Sequence, residues 1–544
     1  MELNNAKLLD CTLRDGAYLI DKKFGDETII GIIDGLNKAN IDIIEIGFLQ
    51  DEGFGEGKTV YKNSKDCEKY IKSKNDKTMY TVLADYSRYS IENLDDYTGK
   101  SFDAVRACFF KSERHDVIEF CKEIKKRGYK LFVQPVDILG YTDKELIDLI
   151  EDVNMLEPYC LSIVDTFGSM YQEDLQRVYS LIDNNLIKKS RIGFHSHNNM
   201  QMSSALSQDF LRMSYGTRNV VVDSTISGMG RGAGNTPTEL VAEYMVKKLG
   251  YPYEIDAILD LIDNYMDNIR ARCEWGYNTK YFIAGCYSAH VNNIKYLTQK
   301  SSIRSKDIRF ILNKIGAIPR KRYHYDLLEK TYLDYVNSEV DDSNAIMALT
   351  KIFRDRNVVV IAPGKSASEN AVEIQNYINK TDNPIVISVN FIHDSIKVDY
   401  LYLSNVRRYE YWKKSENFDQ IRKIYTSNVI NKSCDDYVVS FERLVKCGWD
   451  YMENSTILLL RLLSILGVSS IAIAGMDGYT NNLLQNQNYA NKFLELANVG
   501  SNYIQMNSDI ESMLKDYMNT KPRKIKVKLI TPSIFSDVLG ETDE

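Results

Sequence analysis

The chain has 544 residues, 68 Lys and Arg against 75 Asp and Glu, a formal net charge of −7, and 44% hydrophobic residues. That length exceeds what one hydrophobic core supports and predicts at least two domains. The acidic balance, with no Lys/Arg stripe, argues against a nucleic-acid partner.

No apolar run reaches the about 20 residues of a membrane span, and Met1–Asn5 lacks the basic-then-apolar pattern of a secretory leader. The nine cysteines are scattered without a CxxC pair. Neither a thiolate zinc site nor a disulfide framework is indicated, and a reducing, cytoplasmic setting is expected.

Short β-rich apolar runs recur through the first half, at 7–13, 41–48, 78–85, 104–110, 130–137, 160–166, 191–197 and 219–226. Segments of helical length and period lie between them, such as 26–40, 113–128 and 143–156. Strands alternating with helices predict parallel strands joined by crossovers. A count of eight favours a closed (β/α)8 TIM barrel, with an open eight-stranded sheet as the alternative on periodicity alone.

Barrel active sites gather at the C-terminal ends of the strands. Asp15 follows the first strand, Glu45 is read as ending the second, and Asp165 and Thr166 end the sixth. His195 and His197 end the seventh, and Asn235 lies in the loop after the eighth. Residues i and i+2 of a strand share a face, so His195 and His197 aim two imidazoles at one point and need a carboxylate to complete a metal site. Closure of the barrel brings the first and seventh strands close enough for Asp15 to supply it.

Residues 252–351 read as mostly helical and Tyr-rich, and a second strand–helix rhythm starts near Asn357. Strands are expected at 357–361, 384–390, 398–404, 423–427, 470–477 and 524–530. The expected architecture is α/β throughout: a TIM barrel over 1–295, a helical connector over 296–350, and a Rossmann-like α/β domain over 351–544.

Three motifs carry a resemblance: Asp10-Cys11-Thr12-Leu13-Arg14-Asp15-Gly16, His195-Ser196-His197-Asn198, and Gly228-Met229-Gly230-Arg231-Gly232-Ala233-Gly234-Asn235. In this order they resemble the metal-dependent barrel family of 3-hydroxy-3-methylglutaryl-CoA lyase, 4-hydroxy-2-oxovalerate aldolase and the isopropylmalate synthases, over roughly residues 7–290. The resemblance implies that Asp15, His195 and His197 bind a divalent cation, with Asn235 as a further ligand. It implies that Arg14 holds the enolate oxygen formed as a carbon–carbon bond breaks or forms. Oxygen and nitrogen ligands without thiolate suit Mn²⁺ or Mg²⁺ and leave Zn²⁺ and Co²⁺ open. The implied activity is that of an aldolase, a carbon–carbon lyase acting through a metal-bound enolate of pyruvate or another 2-oxo acid, with an aldehyde partner.

The chain departs from the family at one instructive place. The oxovalerate aldolases carry a general-base His three residues after the metal-binding Asp, and Tyr18 stands there instead. A tyrosine, with an ordinary pKa near 10, needs help to act as a base at neutral pH. His290 is an alternative base, weighed against a structural role. Glu45, a charge inside an apolar strand, is expected to partner Arg14. Asp10 is expected to orient the end of the first strand, and Asp165 and Thr166 to contact substrate or pack the loop.

In the C-terminal half, Val360-Ile361-Ala362-Pro363-Gly364-Lys365-Ser366 is a strand entering a small-residue turn, able to offer N–H groups to a phosphate. It is neither a Walker A loop nor GxGxxG. With Glu453-Asn454-Ser455-Thr456 and the strand ending Gly475-Met476-Asp477-Gly478, it is similar to the bacterial CMP-sialic acid-dependent sialyltransferases and hydroxymethylpterin-pyrophosphokinase-like domains. That similarity implies a nucleotide or nucleotide-sugar pocket lined by Gly364, Lys365, Ser366, Asn390 and Asp477, and a sugar-derived aldehyde. A silent domain serving homo-oligomerisation is the alternative. Two further activities compete with the aldolase: a Claisen-type acyl-CoA synthase at the same metal, and a nucleotide-dependent transferase in the C-terminal domain.

Overall fold

The computed structural model describes residues 6–72, 74–300, 303–337, 341–430, 435–446, 448–449, 454–480, 489–490 and 503–539. The chain divides into two compact units, Met1–Ile294 with Gly316–Tyr323, and Lys295–Ile315 with His324–Glu544.

The first unit is a closed parallel barrel of eight strands: β1 (Ala6–Asp10), β2 (Ile43–Leu49), β3 (Met79–Asp85), β4 (Ala104–Phe109), β5 (Lys130–Pro135), β6 (Cys160–Asp165), β7 (Arg191–Ser196) and β8 (Val220–Ser224). Leu9 of β1 is in register with Ile43 of β2 on one side and Asp223 of β8 on the other, which closes the ring. A two-residue strand, Val60–Tyr61, adds to β2.

Strand periodicity sorts the barrel residues into an outer and an inner set. Ile44, Ile46, Val105, Val133, Leu161, Ile163, Ile192, Phe194 and Val222 face the surrounding helices and form the main core with Ile29, Ile33, Leu149 and Phe210. Inside the barrel, Leu9, Cys11, Ile43, Ala104, Phe132, Cys160 and Val221 form an apolar layer. Two residues further along, on the same inner face, stand Glu45, Arg106, Gln134, Ser162, His195 and Asp223, all buried. The apolar layer therefore floors a charged layer that opens toward the C-terminal mouth.

Two boundaries differ from the sequence expectation in ways that matter. Glu45 sits in the middle of β2, not at its end, because the strand runs on through a register shift between Glu45 and Phe48. Gly47 makes that shift with a φ of +148°, where a Cβ would stand 2.3 Å from the Thr59 carbonyl oxygen. β7 ends at Ser196, and His197 forms an isolated bridge with Asn235 in the loop after β8.

The second unit carries a seven-stranded parallel sheet of β9 (Asn357–Ile361), β10 (Ile385–Val389), β11 (Tyr400–Leu403), β12 (Arg422–Thr426), β13 (Tyr437–Val439), β14 (Ser470–Ala474) and β15 (Lys526–Leu529). Its order is β13-β12-β11-β10-β9-β14-β15, so the direction of winding reverses between β9 and β14. The three-residue edge strand β13 has no counterpart among the expected strands. Helices Tyr325–Asn337 and Ser343–Phe353, within the stretch read as a connector, fall in the second unit. Asp342 there accepts hydrogen bonds from the Ser440 backbone at 2.9 Å and from the Arg443 guanidinium at 2.7 Å.

Candidate active site

After β1 the backbone turns at once. The Arg14 and Asp15 N–H groups both donate to the Cys11 carbonyl, at 3.1 and 2.8 Å, which folds the two side chains back over the barrel mouth. Asp15 Oδ2 lies 3.1 Å from His195 Nε2 and 3.7 Å from His197 Nε2. The two imidazole rings are 5.2 Å apart at 87°. Ligand atoms of Asp15, His195 and His197 lie within 4.8 Å of one another, the one such cluster found among the described residues.

These side chains belong to a closed ring of buried charge. Arg14 donates from Nη1 to Asp15 at 2.8 Å and from Nε to Glu45 at 2.7 Å. Glu45 Oε2 also accepts from Arg106 Nη1 at 3.0 Å. Arg106 Nη2 donates to Asp223, and Asp223 Oδ2 lies 3.0 Å from His195 Nδ1, returning the ring to Asp15. Sequence reasoning identified Glu45 as a charge in an apolar strand. Arg106 and Asp223 are the same signal in β4 and β8, and they were missed.

The ring sets the protonation of its members. Burial opposes ionisation of Asp15, but Arg14 and the two histidines hold its carboxyl well below the usual range. Asp223 is likewise penalised by burial and lowered by Arg106 and His195. Burial works against charging His195, yet its hydrogen bonds to Asp15 and Asp223 raise its pKa. His197, without such bonds, is pushed by burial down to about 4 and stays neutral.

With His195 neutral, as a metal ligand must be, three carboxylates meet two guanidiniums in this ring, leaving one negative charge in excess. Asp15 Oδ1 and Asn235 Oδ1 are buried and accept no hydrogen bond. Buried acceptors without donors are costly, and a cation answers both the lone pairs and the charge. Asn235 is held in place by donating to the Met229 carbonyl at 3.1 Å. Gly230 makes room for it, since a Cβ there would stand 2.2 Å from Asn235 Nδ2.

The remaining expected residues divide. Tyr18 lies at the mouth, edge-on to Phe48 at 5.2 Å. Burial raises its hydroxyl pKa against the opposing pull of Arg231 and Arg14. His290 accepts at Nδ1 from the Asn292 N–H at 3.2 Å, and burial with the nearby Arg231 charge lowers it to about 4. Asp165 accepts from the Ser169 N–H at 2.9 Å and from Ser196 Oγ at 3.3 Å, and burial raises it to about 6. Thr166 Oγ1 accepts from the Asp137 N–H at 2.8 Å. Both therefore hold the loops after β5 and β6. Asp10 joins β1 to the helix after β8, accepting from Thr12 at 2.9 Å and Thr238 at 2.6 Å.

In the second unit, Gly364, Lys365, Ser366 and Asp477 meet beyond the ends of β9 and β14. Asp477 accepts from the Ser366 N–H at 2.7 Å and from its hydroxyl. The N–H read as a phosphate donor thus already serves a carboxylate. Lys365 pairs with Glu369 at 2.8 Å. Asn390 donates to Ser455 Oγ at 2.7 Å. Glu453 lies outside the described residues.

The chain matches the HMGL-like family model over residues 5–264. It is 27% identical over 268 residues to the oxaloacetate decarboxylase of Mycobacterium tuberculosis, covering 46% of this chain and 74% of that protein. It is 25% identical over 319 residues to the 4-hydroxy-2-oxovalerate aldolase of Moorella thermoacetica, covering 57% of this chain and 91% of that protein. The solved HMG-CoA lyase of Brucella melitensis superposes with a TM-score of 0.41 at 16% identity, covering 49% of this chain and 99% of that one. Among the described residues, no helix is long and apolar enough to cross a membrane.

Proposed function

We propose that the barrel is a divalent-metal-dependent carbon–carbon lyase acting through the enolate of pyruvate or another 2-oxo acid. The observation that carries this reading is the cluster of Asp15, His195 and His197 beside Arg14, with unpartnered buried oxygens on Asp15 and Asn235. Asp15, His195 and His197 would hold the cation, with Asn235 Oδ1 as a further oxygen. The nitrogen and oxygen donors suit Mn²⁺ or Mg²⁺. The cation supplies Lewis acidity toward the 2-oxo acid's carbonyl.

The chain's own residues do the rest. Arg14 is fixed by Glu45 and Asp15 through Nε and Nη1, and its Nη2 is left to donate to the oxygen on which enolate charge develops. Because the guanidinium is already aimed, no reorganisation is spent at the moment of reaction. Asp223 fixes the His195 ring and tautomer, as carboxylates do behind histidine ligands. Tyr18, un-ionised at neutral pH, serves as an aromatic wall rather than as a base. Loss of an aldehyde, with its hydroxyl proton passing to a base, or loss of carbon dioxide, with no proton released, leads to the same enolate. The relatives named for 4-hydroxy-2-oxovalerate cleavage and for oxaloacetate decarboxylation support one enolate site serving both bond cleavages.

The test is solvent deuterium exchange into the methyl group of pyruvate by the Mn²⁺-loaded chain. Exchange is expected, is lost in Asp15→Ala, and stays within a few-fold of the parent in Tyr18→Phe. No exchange in the parent protein overturns the enolate reading.

For the second unit, a nucleotide-binding role has the support of the winding reversal between β9 and β14, since open α/β sheets take ligands at such a point. Calorimetric titration with CMP and CMP-sialic acid checks it, and absence of binding removes that role.

A further inference from the structure

In the barrel mouth, Tyr18, which stands in the aldolase His position, and Arg231, in the glycine-rich loop after β8, form one unit. The Arg231 guanidinium carbon lies 4.0 Å from the centre of the Tyr18 ring. Lys22 Nζ lies 4.7 Å from the Phe48 ring centre and 5.9 Å from that of Tyr18. Two cations therefore share one aromatic pair.

Neither cation pairs with a carboxylate among the described residues. Lys22 Nζ donates to the neutral Gln50 Oε1 at 2.6 Å. Asp85, the acid whose field reaches Lys22, is paired with Arg88 at 3.6 Å. Burial, then the charges of Arg88, Lys58 and Arg231, hold the Lys22 ammonium below its usual pKa.

The backbone is strained to keep this lysine here. Asp21 and Lys22 are consecutive non-glycine residues with φ of +50° and +63°. The Lys22 N–H donates to Ala17 at 2.8 Å, and its carbonyl accepts from Thr59 at 3.0 Å. Strain of this kind persists where the surroundings over-determine it, and it gathers at functional sites. The loop bearing Arg231 is joined to the candidate metal site through the His197–Asn235 bridge. Arg231 is also one of the charges that keep His197 and His290 neutral.

Half-buried cations gathered without counter-charge cost free energy that an anion returns. We propose that Arg231 and Lys22, carried on the Tyr18–Phe48 platform, bind a phosphate group of the substrate, so that the aldehyde handled by this barrel is a phosphorylated one. This rests on the enolate reading above and names the partner of the same site. Lys58 extends the positive field, which fits a dianion better than a carboxylate. A guanidinium also presents two parallel N–H groups to phosphate oxygens.

Equilibrium binding of ethyl phosphate to the Mn²⁺-loaded full chain tests the site without turnover, with propionate as the carboxylate comparison. Ethyl phosphate is expected to bind at least tenfold more tightly than propionate and to weaken with salt. Binding is expected to fall at least tenfold in Arg231→Gln and Lys22→Gln, and less in Arg231→Lys, which keeps the charge and controls for folding. No ethyl phosphate binding, binding that both neutral variants leave unchanged, or tighter binding of propionate overturns the proposal. Pyruvate deuterium exchange by the parent protein, run alongside, separates the two ideas. Exchange without ethyl phosphate binding overturns the phosphate site alone, whereas absence of exchange overturns the enolate reading on which it rests.

Discussion

His195 Nδ1 lies 3.0 Å from Asp223 Oδ2, and this contact decides which ring nitrogen faces Asp15. Donation from Nδ1 to the carboxylate leaves the Nε2 lone pair free for a cation. Asp223→Asn keeps the shape but removes the charge that orients the ring and neutralises Arg106. Mn²⁺ affinity is expected to fall about 10- to 100-fold, the usual effect of losing such a partner. Metal titration against a competing chelator checks this, and an unchanged affinity excludes the contact as a determinant.

Arg106 joins Glu45 to Asp223 inside the barrel, with its side chain fully buried. Arg106→Leu leaves buried Glu45 with Arg14 alone and buried Asp223 with His195 alone, and removing one partner of a buried ion pair typically costs about 3–5 kcal/mol. The barrel's urea midpoint is expected to drop accordingly. Combining Arg106→Leu with Glu45→Gln is expected to recover part of that loss, because the excess of buried negative charge falls by one. A double variant no more stable than the single one rejects this account.

Arg14→Lys keeps a positive charge but cannot contact Glu45 and Asp15 from a planar fork while leaving a third N–H group free. Pyruvate exchange is expected to fall about 10²- to 10³-fold, as when a fixed oxyanion donor is removed. Pyruvate binding, followed separately by calorimetry, is expected to change far less. A loss confined to binding would remove Arg14 from enolate stabilisation.

Asp10 offers a pH test. Burial raises its pKa from 3.8 to about 6, outweighing the lowering by its hydrogen bonds to Thr238 and Thr12. The folded state therefore holds the proton more tightly than the unfolded state. The stability Asp10 contributes is fully present below the unfolded pKa and is lost as pH rises through about 6. The size of that loss is about 3 kcal/mol. Asp10→Asn is expected to flatten the dependence of the barrel's stability on pH between about 4 and 6. Equal slopes in parent and variant, by urea unfolding, contradict it.

The candidate metal cluster and much of the barrel were legible because their signals are local. Eight apolar runs marked the strands, and the i, i+2 spacing of His195 and His197 set both imidazoles on one side. Glu45 stood out as a charge between isoleucines. Arg106 and Asp223 carried the same mark but were overlooked, since a single charge in a strand does not say which face it occupies. That face depends on the parity of the strand relative to the barrel interior. The order of the second sheet was equally hidden, because a helical crossover connects parallel strands without saying which neighbour they pair with.

By itself the sequence determined an eight-strand rhythm, a histidine pair, and a TLRDG-like turn able to supply their carboxylate. These follow from backbone periodicity and residue chemistry over short spans. Only the tertiary structure decided that Arg14, Glu45, Arg106, Asp223 and His195 close into one ring, and that Tyr18 carries Arg231. Those relationships join residues up to 213 positions apart, as Arg231 is from Tyr18, and no local propensity encodes them. Barrel closure does, by stacking the inner faces of separate strands into a single charged layer above an apolar floor.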